Sequence, residues 1–278
     1  MALPVWQASP VEFSLQEWLN LLVRWLHIFA GILWIGSTWY FTWLDRRLHA
    51  ALAAKEPGVL MVHSGGFYIV EKLKDPKVDP ARIHWFRFEA LFTWLSGLLL
   101  LGIVYYWGGG VMTDDSVSSI GEWTAIGIGL GSLALGWLAY DALWRSPLAR
   151  NQLAAAGTSF IALLAVAYAL THLLSGRAAY IHLGAMLGTI MTLNVWRRIL
   201  PNQKQLVAAL AAGEKPDEAL AAEAKGRSTH NTFIILPVLM TMISSHFPTA
   251  TYGSQWNWAI FGALTLLGWG AAKLARER

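Results

Sequence analysis

The 278-residue chain is 55% hydrophobic and only 14% charged, with a mean hydropathy of +0.43. Soluble domains carry about 25% charged residues, so this composition excludes a soluble globular enzyme and a disordered protein. The 16 Trp residues favour membrane interfaces. The absence of Cys excludes disulfides, a thiolate-ligated metal site, a Cys nucleophile and a covalently attached c-type haem.

Seven apolar runs are long enough to cross a bilayer, which takes about 20 residues. They cover residues 17–43, 86–107, 122–144, 152–173, 179–198, 230–250 and 254–273. The sequence therefore predicts an all-α membrane protein, a single polytopic domain over residues 1–278 with about seven transmembrane helices. No basic segment precedes the first apolar run, so we expect no cleavable signal peptide.

The Lys and Arg residues lie in alternate connections between these runs. Counted from the N-terminus to the C-terminal tail, the connections carry 0, 8, 0, 2, 1, 6, 0 and 3 of them. The positive-inside rule then predicts an outside N-terminus, a cytoplasmic C-terminus and long cytoplasmic loops at 44–85 and 199–229. This arrangement fits a multi-pass protein of the bacterial inner membrane. It also accounts for the isoelectric point of about 9.4 without any nucleic-acid partner.

Histidines inside the predicted spans are candidate ligands, because ionisable groups are costly within a bilayer. His27, His182 and His246 are expected at similar depths near the outer ends of three spans. Imidazole ligates haem iron, so haem b with axial ligands from this trio is the simplest metal site. His84 and His230, at the inner ends of their spans, are second choices. The alternative is that these histidines only form hydrogen bonds between helices.

Arg24 is the one basic residue within the core of a predicted span, away from its ends, and it lies one turn before His27 on the same helix face. An Arg at this position could pair with a haem propionate or with an anionic substrate. Gly31, one turn after His27, would let a flat macrocycle approach the helix.

At the inner side, Glu89 is a candidate proton-relay carboxylate. Arg24, His84 and Glu89 form the predicted catalytic set, and Asp141 and Asn194 also lie near the inner face.

Several stretches carry a resemblance to a known family. They are LHIFAGILWIGSTWYFTWLD (26–45), HSGGFYIVEK (63–72), HWFRFEALFTWLSG (84–97), YIHLGAMLGTIMTLNVWRRILPNQ (180–203) and STHNTFIILPVLMTMISSHFP (228–248). Together they resemble the membrane domain of the bacterial urate hydroxylases, in which that domain is fused to a C-terminal cytochrome c. The first stretch also resembles the His-containing helix of the membrane haem protein that acts as protoporphyrinogen oxidase.

The resemblance implies a reaction in purine degradation: urate is hydroxylated to 5-hydroxyisourate and electrons pass to a cytochrome c. This sequence contains no cytochrome segment, so we expect the cytochrome c to be a separate chain or a missing fused domain. The alternative is a non-catalytic, cytochrome b-like electron-transfer subunit of a respiratory complex. We expect the acidic residues of the outer loops, Asp114 and Asp115 among them, to attract a basic cytochrome c.

Urate is a planar anion, so its site should combine cationic groups with an aromatic wall. Two locations satisfy this expectation. On the outer side, Arg24 is accompanied by Trp25, Trp34 and Trp39. On the inner side, His84, Arg87 and Glu89 lie close in sequence to one another and follow the HSGG loop.

Overall fold

The computed structural model describes residues 14–73, 76, 78–107 and 109–277. Its helices are α1 (Leu15–Ala53), α2 (Phe88–Leu101), α3 (Glu122–Arg145), α4 (Gln152–Leu173), α5 (Gly176–Asn194), α6 (Leu200–Ala211), α7 (Glu218–Ile243) and α8 (Asn257–Glu277). Two π-helical segments, Gly102–Tyr106 and Val195–Ile199, continue α2 and α5. The second segment joins α5 to α6, so that Gly176–Ala211 forms one long helix.

Six helices of the described chain are long and apolar enough to cross a membrane. They are α1, α2 with its π segment, α3, α4, the continuous α5–α6 helix and α8. The predicted helical, membrane-type architecture is therefore confirmed. The predicted span 230–250 differs, because α7 begins at Glu218 and ends at Ile243. Its apolar part, 230–243, covers only about 21 Å at 1.5 Å per residue, less than the roughly 30 Å of a hydrocarbon core.

Helix α5 forms the centre of the bundle. Most of its side chains are buried, and it packs against α2, α3, α4 and α7. Helix α8 closes the bundle between α4 and α7, while α1 packs mainly along α2. Small residues permit the close approaches: a Cβ added at Gly184 would collide with Thr241 of α7, and one at Gly136 would collide with Met186. Such small residues are typical of helix contacts within membranes.

The helices alternate in direction, which gives the bundle two chemically different ends. We call the end at which α1, α3 and α8 finish the basic end. Contacts there join helices distant in sequence, as in the hydrogen bond from Arg46 to the Ala275 carbonyl. At the opposite end, Gln16 donates to the carbonyls of Ile103 and Trp107. The sides on which these ends lie in a membrane stay a prediction.

A β-hairpin interrupts the predicted 44–85 loop. Strand β1 (Val59–His63) pairs antiparallel with β2 (Gly66–Val70). Ser64 and Gly65 form the two-residue turn with φ values of 51° and 77°, as a type I′ turn requires. The sequence prediction missed this hairpin because both of its faces carry apolar residues, which hides the alternation typical of a strand.

Candidate functional site

A largely buried ionic cluster joins α3, the π segment that follows α5, and α7 at the basic end. Asp141 of α3 accepts hydrogen bonds from Nε of Arg198 at 2.9 Å and from its Nη2. Nη2 of Arg227 donates to the same carboxylate at 2.9 Å. Arg227 is only 3% exposed, whereas Arg145, 4.0 Å from Asp141, lies on the surface. One carboxylate therefore compensates two inward-facing guanidinium groups, and loss of such compensation is strongly destabilising.

Next to the ionic cluster, a chain of neutral hydrogen bonds crosses α3, α5 and α7. The Tyr140 hydroxyl lies 2.7 Å from Nδ1 of His230 and accepts a hydrogen bond of 3.0 Å from the Asn194 amide. The Asn194 amide also donates to the Asn231 side chain, which donates to the Met191 carbonyl. His230 is thus held at Nδ1, and its Nε2 has no protein partner among the described residues.

A cavity of about 750 Å³ opens beside His230, between α3, α4, α5, α7 and α8. Along α4 it runs from Gln152 to Val166, about 21 Å at 1.5 Å per residue. Its polar end is formed by seven side chains: Tyr140, Trp144, Gln152, Lys225, Thr229, His230 and Lys273. The remainder is lined mainly by apolar and small residues. The site thus has a hydrogen-bonding, cationic end and an apolar body.

The polar end has an aromatic wall. The ring centroids of Trp144 and His230 are 4.0 Å apart, and the Trp144 indole nitrogen donates to Ser159 at 3.1 Å. These contacts fix the indole beside the imidazole. A planar ring entering the cavity would therefore find a flat aromatic surface next to an imidazole, at the cavity end that Lys225 and Lys273 also line. Ligand pockets commonly combine such apolar walls with a few fixed polar groups.

Two atoms, one in the ionic cluster and one in the neighbouring chain of hydrogen bonds, are buried without any protein partner among the described residues. They are Nη1 of Arg227, a donor, and Oδ1 of Asn194, an acceptor. Leaving such a group unsatisfied costs about 1–3 kcal/mol, so buried polar atoms are normally completed by ordered water or a ligand. Polar species are therefore expected to enter this part of the bundle.

The structure separates the three outer histidines that the sequence put forward as haem ligands. His182 is fully buried, with Nδ1 2.8 Å from the Ala178 carbonyl and Nε2 2.8 Å from the Tyr106 hydroxyl. A Cβ added at Gly129 would lie only 2.6 Å from the His182 ring, so α3 covers this imidazole closely. His246 lies exposed in the 3₁₀ segment Ser244–His246 that follows α7. Both ring nitrogens of His182 are occupied by hydrogen bonds, and His246 lies at the surface. Neither residue is therefore placed to bind a metal within the bundle.

His27 has one ring nitrogen, Nδ1, held by hydrogen bonds and the other, Nε2, without a protein partner among the described residues. Nδ1 lies 2.9 Å from the Thr93 carbonyl and 3.1 Å from the Ser96 hydroxyl. Metal-bound histidines typically donate their second ring nitrogen to a backbone carbonyl in this way. These contacts are compatible with His27 as one haem ligand. His230 likewise has Nδ1 held by a hydrogen bond and Nε2 without a protein partner among the described residues. No group of three metal-ligating side chains occurs within the described parts of the chain.

The residues around His27 have other contacts than those expected. Arg24 lies exposed on α1 and donates to the Asn20 side chain at 2.9 and 3.1 Å. A Cβ at Gly31 would lie 3.9 Å from Thr93, so this glycine faces α2. The space beside Gly31 is therefore part of the packing of α1 against α2.

The predicted catalytic residues Arg24, His84 and Glu89 are spread along the α1–α2 pair. Because these helices run antiparallel, Arg24 lies toward the end of α2 that is remote from Glu89. His84 is exposed before α2 begins, with its ring 4.6 Å from that of Phe86. Arg87 of the inner group has a buried Nε without a protein partner and lies over the Phe88 ring at 4.8 Å. The HSGG segment supplies the hairpin turn.

Sequence reasoning placed Asp141 and Asn194 near the inner face but missed the residues that join them. Those residues are Tyr140, Arg198, Arg227 and Asn231, together with Lys225 and Lys273 at the cavity. A signal was present: Arg227 and Asn231 lie within or beside the distinctive 228–248 stretch, and Arg198 within the 180–203 stretch. The sequence alone could not show that these stretches meet Asp141.

The fold and the site define a helical protein with six helices, in the described part of the chain, that could span a membrane and an ionic cluster beside a cavity between the helices. A family model described as Urate oxidase N-terminal matches residues 13–274. The chain therefore belongs to the urate oxidase N-terminal family, as the sequence resemblance indicated, and membership suggests an oxidoreductase-related protein. No curated protein and no solved structure matches the chain.

Proposed function

We propose that this protein is a membrane-bound oxidoreductase that hydroxylates urate to 5-hydroxyisourate and passes the electrons to a cytochrome c. Family membership supports the reaction class. The location of the substrate site is proposed from the polar end of the cavity, which is lined by Trp144, His230, Lys225 and Lys273. This combination suits a planar anion, because it supplies an aromatic wall, hydrogen-bonding groups and positive charge.

The chemistry requires removal of protons as well as electrons. Urate and one water give 5-hydroxyisourate, two protons and two electrons, and the electrons reduce two cytochrome c molecules by one electron each. In this proposal His230 takes a proton at Nε2, since Nδ1 is held by the Tyr140 hydroxyl at 2.7 Å. A base oriented in this way acts as a general base when the reacting proton comes within hydrogen-bonding reach.

Lys225 and Lys273 bind and orient the anion in this proposal. Both residues line the end of the cavity at which α7 approaches the end of α8; both are exposed, and the Lys273 ammonium lies 3.8 Å from the Glu277 carboxylate. The Trp144 indole, fixed by its hydrogen bond to Ser159, restricts the tilt of the purine ring. The apolar remainder of the cavity excludes bulk water from the ring face that points into the membrane.

We further propose that His27 ligates a haem b through Nε2, with Thr93 and Ser96 holding Nδ1. When bound, this group supplies a one-electron relay between the substrate and the cytochrome. The two histidines then have distinct roles: His27 binds the cofactor, and His230 accepts a proton from the reacting groups.

The test is a pair of histidine substitutions measured by two readouts. His27→Ala should remove the Soret band or change its spin state, while the exposed His172 provides the matched control as His172→Ala. His230→Gln should keep the wild-type spectrum and lose most urate-dependent reduction of cytochrome c. If His230→Gln removed the Soret band and His27→Ala did not, the two assignments would be wrong.

Wild-type turnover distinguishes the proposed enzyme from a non-catalytic electron-transfer subunit. Purified protein in nanodiscs should reduce cytochrome c when urate is added, with formation of 5-hydroxyisourate. A haem spectrum without urate turnover would support the cytochrome b-like alternative. The absence of any haem spectrum would instead refute the haem proposal.

A further inference from the structure

One face of the β-hairpin is composed of apolar residues that contact little else in the protein. In the antiparallel register Leu60 faces Ile69, and Val62 faces Phe67. Alternation along each strand brings these two pairs to the same face. Their exposed fractions are 73% for Leu60, 54% for Ile69, 64% for Val62 and 80% for Phe67. A contiguous apolar face of this kind marks contact with a membrane or another apolar surface.

The other face of the hairpin attaches it to α1. The Tyr40 hydroxyl contacts the Met61 sulfur at 3.6 Å, and the Lys72 ammonium pairs with Asp45 at 2.6 Å. The hairpin therefore folds back beside the part of α1 between residues 40 and 45. At this level α1 changes from exposed apolar residues, such as Phe41, to the charged residues that follow Leu44. The hairpin thus lies where the lipid-facing surface of α1 ends.

Aromatic and basic side chains accumulate at the same level. Phe41 and Phe86 are in edge-to-face contact, with centroids 5.0 Å apart, and both are exposed. Arg47 lies over the Trp43 ring at 5.9 Å. Aromatic residues mark the boundary between hydrocarbon and headgroups, and adjacent basic residues attract anionic lipids. These neighbours indicate lipid as the occupant of the apolar face.

We propose that the hairpin is an interfacial membrane anchor. Leu60, Val62, Phe67 and Ile69 enter the acyl region of the leaflet at the basic end, and the basic residues that follow Leu44 lie among anionic headgroups. The type I′ turn at Ser64 and Gly65 keeps the two strands in register, so the four apolar side chains enter as one rigid surface. This inference is independent of the proposed reaction, because it rests on the hairpin and α1 alone.

The natural absence of Cys allows a direct test. Single-cysteine variants are spin-labelled in nanodiscs containing anionic lipid, and collisions with oxygen and with a water-soluble nickel chelate are measured. Phe67→Cys and Leu60→Cys probe the apolar face, and Tyr68→Cys is the matched control on the opposite face of the same hairpin. Ile32→Cys on the exposed side of α1 gives the lipid reference, and Glu214→Cys gives the aqueous reference.

Labels at 67 and 60 should resemble the label at 32, with high oxygen and low nickel accessibility. The label at 68, on the face that contacts α1, should have lower oxygen accessibility than the labels at 67 and 60. Nickel accessibility at 67 and 60 equal to that at 214 would overturn the proposal, because the face would then be in water. Protection of both positions from oxygen and nickel would overturn it too, because the occupant would then be protein. Two positions on the face keep the test valid if one variant misfolds.

Discussion

The Tyr140 hydroxyl lies 2.7 Å from Nδ1 of His230 and also accepts the Asn194 amide at 3.0 Å. One phenol on α3 thus orients a histidine on α7 and is itself held by α5. Replacing Tyr140 by Phe removes both hydrogen bonds and leaves the ring in place. We expect urate turnover to fall about 10- to 100-fold, because His230 loses its orientation.

The measurement for Tyr140→Phe is steady-state reduction of cytochrome c over a range of pH, with the haem spectrum as a check on folding. Tyr168→Phe is the control, since Tyr168 is exposed and stacks on the exposed His172. Unchanged kcat and an unchanged pH profile in Tyr140→Phe would exclude His230 as an oriented base.

The ionic cluster gives a prediction about stability. Arg227→Gln removes a buried charged hydrogen bond to Asp141 and should lower the free energy of unfolding by about 2–3 kcal/mol. Arg145→Gln removes a guanidinium that is 62% exposed and 4.0 Å from the same carboxylate, so it should cost less than about 1 kcal/mol. Denaturant unfolding in mild detergent would compare the two variants. Equal losses would contradict the buried position of Arg227.

Two glycines of α5 should respond oppositely to alanine. A Cβ at Gly184 would collide with Thr241, whereas nothing lies within 4 Å of a Cβ at Gly188. Gly184→Ala should destabilise the protein by about 1–3 kcal/mol through overpacking. Gly188→Ala should be neutral or stabilising by up to about 1 kcal/mol, because Ala is the better helix former. Thermal unfolding of both variants in one detergent would show whether α5 and α7 pack as closely as described.

The six long apolar helices were predictable because each one contains a long apolar run, whereas the topology inferred from the alternation of basic residues stays a prediction. Hydropathy could not identify α5 as the central helix, since a run of apolar residues looks the same whether it faces lipid or protein. The ionic cluster depends on three helices meeting, and no single helix reveals the partners of Asp141. Likewise, the sequence places His182 at a plausible depth, but only packing shows that Tyr106 and Ala178 engage both of its ring nitrogens.

The membrane orientation can be tested by cysteine labelling of the cysteine-free chain. Asp115→Cys, between α2 and α3, and Glu214→Cys, between α6 and α7, lie beyond opposite ends of the bundle. With an outside N-terminus, an impermeant maleimide applied to intact spheroplasts should label position 115 only. Position 214 should react after the membrane is opened. Labelling of both positions in intact spheroplasts would refute the predicted topology.

Docking of a cytochrome c should depend on ionic strength. Asp114 accepts hydrogen bonds from the hydroxyl and the backbone N–H of Ser116, and these bonds hold the pKa of its carboxyl below the usual value. Asp114 therefore stays charged at neutral pH, and it loses this charge only on strong acidification. We expect electron transfer to a basic cytochrome c to be faster at low salt, because exposed charges are screened over about 10 Å at 0.1 M.

The docking prediction is checked by the rate of cytochrome reduction at two salt concentrations. Asp114→Asn with Asp115→Asn should lower the low-salt rate modestly and reduce its salt dependence without altering the haem spectrum. Substituting Glu214→Gln at the opposite end serves as the control. A wild-type rate that does not change with salt would count against docking at the 109–121 segment.

The central position of α5 has a consequence for how the chain is assembled in the membrane. The continuous α5–α6 helix carries buried His182 and Asn194 and half-buried Arg198, and their partners lie on segments made before and after it: Tyr106 and Asp141 precede it, and Asn231 follows it. A helix with these polar groups is costly to leave facing lipid. We therefore expect α5 to stay packed against α2 and α3 during membrane insertion until α7 has been synthesised. Packing of α7 is then the step that completes the bundle.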